Sequence, residues 1–324
     1  MHLPDGFLSI PVLLLVWAIT LLALAYALNN IKADNLDKIA NIGAIASVIF
    51  VAQMFNFPIT GGTTGHLLGG ALAVYVVGVP GAIIVMFTVL LLQATIFADG
   101  GIVALGANMF NMGVVTILTT YFINKISDKV YPEDNINKNL PFIFIAGFSS
   151  VFIASFFAGL ELVLSQRTTF AESIPLILFY HILIGLGEGI ITVFIVIYLQ
   201  KSEFPLPDVF NEETPSYSFL DSLKESNKPI LGLALLLFIL SMLSLFSFPN
   251  PDGLSSATSQ LFPNVPEFFF KLGIANDYDF LGLGGFLGTI LSAILGIIII
   301  SGVFILPTKY FKERKRNDLS ASKH

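Results

Sequence analysis

Long apolar segments recur along the chain and constrain its fold more than any other feature. A bilayer core of about 30 Å requires about 20 apolar residues per helix. Runs of this kind cover residues 8–28, 141–162, 179–200, 229–248 and 283–306. Only 12% of the residues are charged, against roughly 25% in soluble domains. The sequence therefore predicts an all-α, polytopic membrane helix bundle.

Other apolar stretches are interrupted by glycine, proline or polar residues. Residues 39–54 form a second span, followed by the irregular segment FNFPITGGTTG. A shorter apolar helix over 66–79 is predicted to end at Pro80-Gly81, before a fourth span over 82–98. The segment ADGGIVALGANMFNMG is interpreted as the broken start of a fifth span that reaches Phe122. About seven helices are therefore expected first, followed by a two-helix C-terminal hairpin.

Lysine and arginine are distributed unevenly over the predicted loops. Of the 16 basic residues, 14 fall in segments predicted on the same side of the membrane as the C-terminus, and only Arg167 and Lys271 fall on the opposite side. Because basic residues accumulate on the cytoplasmic side, the N-terminus is predicted outside and the C-terminus inside. This orientation places Met1, His2 and the start of the third helix at the outer face.

The first two residues and one distant histidine form a candidate metal site. The α-amine of Met1, the backbone nitrogen of His2 and the His2 imidazole can chelate one ion, with His66 as the fourth nitrogen. Four nitrogens in a plane suit Ni(II) or Cu(II), and geometry leaves the metal open. The chelate needs an intact Met1, and MHLPDGFLSI lacks the features of a removable signal peptide. The alternative is that His2 only packs at an interface.

Further polar residues are predicted near this site. His66 is a functional candidate because ionisable groups at membrane depth are costly. His181 and Glu188 share one face of the seventh span, where they form a hydrogen-bond system, an ion path or a packing pair. Asp99 and Asn108 fall in unwound backbone, which membranes tolerate only beside a cavity or buried in protein. We expect these residues to orient the site and not to bind the ion directly.

Polar segments divide the chain into four parts. Residues 1–200 form the predicted metal-capture membrane domain, and the proline-bearing segment 201–228 is a cytoplasmic linker. Residues 229–306 form the two-helix accessory domain, whose outer loop, about 249–282, is expected to pack over the outer mouth of the first domain. Residues 307–324 form a basic cytoplasmic tail.

Several function classes lack their motifs in this sequence. The run GGTTGH does not end in the Gly-Lys-Ser/Thr of a phosphate-binding loop, and neither HExxH nor GxSxG occurs. Cysteine is absent, so metal ligands must be nitrogen or oxygen. No nucleic-acid footprint or resident cofactor is indicated. A channel or secondary transporter without an ATPase and an intramembrane metalloenzyme remain as alternatives to a non-catalytic transport component.

Four segments carry a family resemblance: MHLPDGFLS, FNFPITGGTTGHLLGGALA, FADGGIVALGANMFNMG and HILIGLGEG. Over about residues 1–200 they resemble the nickel/cobalt substrate-capture (S) component of energy-coupling-factor ABC transporters, NikM/CbiM type. The resemblance implies that Met1, His2 and His66 hold Ni(II), with Co(II) for cobalamin synthesis as the alternative. It also implies a membrane coupling (T) subunit and cytoplasmic ATPase (A) subunits as partners, in the plasma membrane of a prokaryotic cell.

The C-terminal hairpin resembles the small NikN-like accessory component. Its PDGL signature stands at residues 251–254, and Ser255 occupies a position where relatives often have Glu. Fusion of both parts in one chain is more typical of the nickel branch, which favours nickel over cobalt.

One residue added before Met1 tests the proposed chelate. The extension displaces the α-amine from its place beside the backbone nitrogen of His2, so we expect nickel binding to be lost. Metal analysis of the purified protein, with and without the extension, measures the effect. Unchanged nickel content in the extended protein would contradict the capture hypothesis.

Overall fold

Helices account for nearly all of the regular structure. The computed structural model describes residues 1–31, 36–60, 63–131, 136–202, 251–261, 274–284 and 287–304. The elements are α1 (Ile10–Asn30), α2 (Leu36–Met54), β1 (Phe57–Pro58), β2 (Thr64–Gly65), α3 (Gly70–Leu92), α4 (Leu105–Asn108), α5 (Thr116–Val130), α6 (Ile136–Leu164), α7 (Phe170–Lys201), α8 (Gly253–Leu261) and α9 (Leu287–Phe304). Wider π-helical turns, Gln93–Phe97 and Met109–Val115, extend α3 and join α4 to α5.

The predicted all-α membrane bundle is confirmed. Among the described residues, five helices are long and apolar enough to cross a bilayer: α1, α3, α6, α7 and α9. The two short strands form one antiparallel pair in which Phe57 lies opposite Gly65. The predicted eighth span over 229–248, the tail over 307–324 and all but the first two residues of the linker lie outside the described residues.

The third and fourth predicted spans form one helix with an internal kink. Helix α3 contains a single non-helical residue, Gly78, at φ 72° and ψ 174°. The predicted break at Pro80-Gly81 was therefore wrong by two residues, because glycine adopts positive φ at little cost. Pro80 lies in the first turn after the kink, where a missing N–H removes no helix hydrogen bond.

Helix α3 is the centre of the bundle. It packs against α1, α2, α5, α6 and α7, and most of its side chains are buried. A helix that is apolar on every face is stable in such a position. Helix α1 is peripheral instead, and its residues Leu14 and Leu22 are exposed, as expected of a helix that faces lipid.

Small residues allow α6 and α7 to approach closely. A Cβ atom on Gly147 would lie 2.8 Å from the Cα of Gly189, and a Cβ on Gly189 would lie 2.8 Å from the carbonyl oxygen of Phe144. Such pairs of small residues are a common means of helix association in membranes. This packing fixes α7, which carries both His181 and Glu188.

The irregular segments meet at one end of the bundle. The N–H of Gly101 donates to the carbonyl of Leu3, and the N–H of Thr64 donates to the carbonyl of Pro251. The guanidinium of Arg167, in the loop between α6 and α7, donates to the carbonyl of Gly6. The N-terminal loop, the loops before and after α3, and α8 therefore share one end, where the candidate site residues also lie.

Substitution of Gly189 tests the close contact between α6 and α7. In Gly189→Ala the added Cβ meets the Phe144 backbone and ring, so we expect the free energy of unfolding to fall by about 1–3 kcal/mol. Thermal unfolding in detergent measures the change. Gly302→Ala in α9 is the matched control, since a Cβ there meets no atom within 4 Å. Equal midpoints for both variants would contradict the packing described.

Candidate metal centre

The N-terminal loop is buried inside the end of the bundle. Met1 is 3% exposed, His2 8% and Leu3 0%. Asn108, on α4, accepts a hydrogen bond from the N–H of Leu3 at 2.7 Å and donates its side-chain N–H to the carbonyl of Leu3 at 3.0 Å. This two-way amide contact holds the start of the chain in one position. The structure therefore places Asn108 against the backbone next to the predicted ligands.

The turn after Leu3 depends on two glycines and one carboxylate. Gly6 has φ 93° and Gly100 has φ 86°. A Cβ on Gly100 would lie 2.9 Å from the side-chain nitrogen of Asn108 and 3.2 Å from the Cβ of His2. The carboxylate of Asp5 accepts a hydrogen bond from the N–H of Ala104 at 2.8 Å. The loop that carries the first residues thus fits closely against the segment before α4.

The α-amine of Met1 lies beside the imidazole of His66. The amine nitrogen is 2.5 Å from Nε2 of His66. Nδ1 of His66 is 2.9 Å from the carbonyl oxygen of Leu67, so the ring proton belongs on Nδ1 and the Nε2 lone pair faces the amine. The rings of His2 and His66 are stacked, with centroids 5.3 Å apart. Three of the four predicted nitrogen donors therefore lie close together: the Met1 amine, the His2 imidazole and Nε2 of His66.

His66 lies in the segment without regular secondary structure between β2 and α3. The prediction that a helix begins at His66 was wrong, since α3 begins at Gly70. Glu188 accepts hydrogen bonds from the N–H groups of Leu68 at 2.7 Å and Gly69 at 2.8 Å. The predicted polar residue of α7 therefore holds the loop that carries His66.

Two acceptors face the imidazole of His2. Its Nε2 is 3.1 Å from Oε1 of Gln93, and its Nδ1 is 3.3 Å from Oδ1 of Asp99. Burial lowers the pKa of the His2 imidazole from 6.5 to about 4, and the nearby Asp99 carboxylate opposes this only in part. The ring is therefore neutral near pH 7, as a metal ligand must be, and has one N–H for the two acceptors.

His181 lies outside the group formed by Met1, His2 and His66. Its Nδ1 donates to the carbonyl of Ile177 at 2.7 Å. Its buried Nε2 has no hydrogen-bond partner among the described residues, and the ring lies beneath Gly253 of α8. No hydrogen bond in the described part of the chain links it to the predicted ligands.

Asp252 is a site residue that the sequence reasoning missed. Its Oδ2 lies 2.5 Å from the amine of Met1 and 3.6 Å from Nε2 of His66. Although burial raises the pKa of this carboxyl, the N-terminal ammonium and His66 hold it well below its usual value. One signal was available, because Pro-Asp-Gly occurs both at residues 4–6 and at residues 251–253.

Gln93 and Tyr278 are two further residues near His2 that were missed. The hydroxyl of Tyr278 donates to Oδ2 of Asp99 at 2.6 Å, and the side-chain N–H of Gln93 donates to the Tyr278 oxygen at 3.1 Å. Burial and the Asp99 carboxylate raise the pKa of the Tyr278 hydroxyl, so it remains a donor. These contacts hold the side chains of Gln93 and Asp99, which are the two acceptors that face His2.

Side chains alone do not form a metal site in this structure. Among the described residues, no group of three or more His, Asp or Glu side chains is arranged to hold an ion. The amine of Met1 lies beside His66, and the backbone nitrogen of His2 follows it directly along the chain. That combination is the chelate proposed from the sequence.

Comparison with known proteins shows a family and two relatives that are similar over nearly their whole length. The CbiM family, described as the cobalt uptake substrate-specific transmembrane region, matches residues 2–206. A protein of Archaeoglobus fulgidus named as a fused nickel transport protein, NikMN, is 30% identical over 317 residues, covering 96% of this chain and 99% of that protein. One of Lactiplantibacillus plantarum named as a fused nickel transport protein, LarMN, is 28% identical and covers 92% and 95%.

The solved structures that this chain resembles are also structures of metal transporters. The crystal structure of a truncated transition metal transporter is 29% identical, with a TM-score of 0.53, over 62% of this chain and 99% of that one. A second transition metal transporter structure is 31% identical at the same TM-score and covers 63% and 94%. The chain therefore belongs to the CbiM family of cobalt uptake substrate-specific transmembrane regions.

Proposed function

We propose that this protein is the substrate-binding membrane component of an importer that captures Ni(II) from outside the cell. The observation that carries the proposal is the buried N-terminus, where the Met1 amine, His2 and His66 lie together. A charged chain terminus is costly to bury, so its position inside a helix bundle requires a reason. Chelation of a metal ion by the terminus supplies one.

The arrangement of the nitrogens matches the order that the chelate requires. In a planar chelate the backbone nitrogen of His2 binds the ion between the Met1 amine and Nδ1 of His2. The fourth ligand therefore binds on the side of the ion opposite the backbone nitrogen, and it neighbours both the amine and Nδ1. We propose that His66 takes that position, because its Nε2 lies beside the amine and its ring is stacked on His2.

The hydrogen bonds of His2 also support a cation at this place. Because an N–H of Gln93 is used by Tyr278, Oε1 of Gln93 faces Nε2 of His2, and the tautomer with the single ring proton on Nε2 donates to it. Nδ1 is then a bare acceptor that faces the Asp99 carboxylate at 3.3 Å. Two acceptors at this distance repel each other, and a bound cation beside Nδ1 removes that conflict. Nδ1 is also the nitrogen that the chelate uses.

Nickel is the favoured substrate, and cobalt is the alternative. Four nitrogens in a plane suit Ni(II) better than they suit ions that prefer oxygen ligands. Cu(II) also fits this geometry, and proteins commonly discriminate between such ions through metal availability. Two relatives that match the chain over nearly its full length are named as nickel transport proteins.

ATP-driven uptake would require partner subunits. The sequence has no phosphate-binding loop motif, so we propose a membrane coupling (T) subunit and cytoplasmic ATPase (A) subunits. The distribution of basic residues supports an N-out, C-in orientation in a prokaryotic plasma membrane, with the site open to the outside. In this arrangement residues 1–200 capture the ion and residues 229–306 form an accessory part.

Substitution of His66 and, separately, of His181 distinguishes a metal ligand from a residue that only lies nearby. His66→Ala removes one of four nitrogens, so we expect nickel affinity to fall by about hundredfold or more, since loss of an outer partner alone costs about 10–100-fold. His181→Ala should cost clearly less, because no hydrogen bond joins His181 to the ligands. Titration against a competing chelator measures both affinities. Equal losses would contradict the assignment of His66 as the ligand.

The pH dependence of nickel binding tests the chelate itself. Binding displaces two protons, one from the ammonium and one from the His2 backbone amide, so affinity should fall about hundredfold for each unit of acidification near pH 7. His2 does not contribute to this loss until the pH approaches its pKa of about 4. Calorimetry in buffers of different ionisation enthalpy counts the protons released. Release of no more than one near pH 7 would exclude the amide nitrogen as a ligand, because the ammonium alone accounts for one.

A further inference from the structure

The carboxylate of Asp252 occupies the centre of the capture site without belonging to the proposed chelate. Its Oδ2 lies 2.5 Å from the Met1 amine and 3.6 Å from Nε2 of His66. The Asp252 side chain is 14% exposed and that of Met1 only 1%. Four nitrogens already complete the plane around an ion, so this buried anion requires a role of its own.

The backbone around Asp252 fixes the position of the carboxylate. Oδ1 accepts a hydrogen bond from the N–H of Ser255 at 2.7 Å, as in an N-terminal helix cap. The N–H of Thr64 donates to the carbonyl of Pro251 at 3.0 Å, only two residues before His66. A Cβ on Gly253 would lie 3.1 Å from the Cβ of Tyr180, so α8 is seated closely on α7. The hydrogen bond between Thr64 and Pro251 therefore joins the segment that carries His66 to the segment that carries Asp252.

The formal charge of the site is the same before and after loading. With neutral histidines, the ammonium gives the free site a charge of +1. The loaded chelate combines the +2 of the ion with the −1 of the deprotonated backbone nitrogen, which again gives +1, and the two displaced protons pass to the outer solution. The Asp252 carboxylate therefore faces the same formal charge in both states, while the Asp99 carboxylate lies on the His2 side of the site.

We propose that Asp252 is a positioning residue of the capture site. Its carboxylate holds the Met1 amine against His66 before the ion arrives and stays as the counter-charge of the loaded chelate. This inference rests on the proposed function of metal capture. Because Asp252 lies in the C-terminal part of the chain, that part then contributes directly to metal capture.

The test compares Asp252→Asn with the wild type and with Ser256→Ala. All proteins are full length with an unmodified Met1. Asparagine keeps the shape of the side chain and removes its charge. Ser256 accepts a hydrogen bond from the hydroxyl of Thr63 at 3.0 Å, so the control loosens the same contact between segments without removing the carboxylate. The first measurement is the rate at which an acylating reagent labels the α-amine of the metal-free protein. The second is Ni(II) titration with the absorption spectrum recorded at saturation.

We expect Asp252→Asn to be labelled about tenfold faster than the wild type and to bind Ni(II) about tenfold more weakly, because a hydrogen bond between charged groups is lost. Its spectrum at saturation should match the wild type, because the four nitrogen ligands remain. Ser256→Ala should resemble the wild type in all three respects. Asp252→Glu, which restores the charge on a longer side chain, should recover affinity to within a few-fold of the wild type.

Several results would overturn the role of Asp252. Wild-type labelling or wild-type affinity in Asp252→Asn would do so, as would an equal loss in Ser256→Ala. A changed spectrum at saturation would make Asp252 a direct ligand, which is a different role. Failure of Asp252→Glu to recover affinity would exclude a counter-charge. A wild-type protein that binds no Ni(II) would refute the proposed function instead, and the labelling rates would still decide whether Asp252 holds the amine.

Discussion

The burial of the Met1 amine is the interaction on which the rest of the site depends. A charged terminus loses its hydration inside a helix bundle, so it must be paired with groups that replace water. His66 and Asp252 provide these partners, each 2.5 Å from the amine nitrogen. Asn108 then fixes the backbone of Leu3, so the amine cannot leave without breaking two further hydrogen bonds.

The groups at the site come from distant parts of the chain, and side chains or termini of helices hold them in place. The loop of His66 is held by Glu188 of α7, and Asp252 caps α8. A site on rigid elements keeps its ligands close to their bound geometry, which lowers the entropy lost when the ion binds. The pairing of N-terminal and C-terminal segments here gives a physical reason for both parts to occur in one chain.

The sequence predicted the bundle, which the structure confirms, and it proposed the nitrogen donors together with neighbours such as Asn108 and Glu188, but it did not reveal Asp252 or Tyr278. Apolar length predicts membrane helices because the bilayer sets it, and Met1-His2 can chelate through bonds within two residues. Asp252 and Tyr278 reach the site through contacts that span 251 and 179 residues, which no local pattern encodes. The kink in α3 lies at Gly78 because a positive φ depends on tertiary context as well as on residue type.

The coordination of the bound ion tests the central claim most directly. X-ray absorption at the nickel edge, on protein loaded with Ni(II) and carrying an unmodified Met1, reports both the geometry and the neighbouring atoms. We predict a square-planar ion with four nitrogen neighbours, because in the proposed chelate the amine, the backbone nitrogen of His2 and the two imidazoles fill one plane. A six-coordinate ion surrounded mainly by oxygen would contradict it.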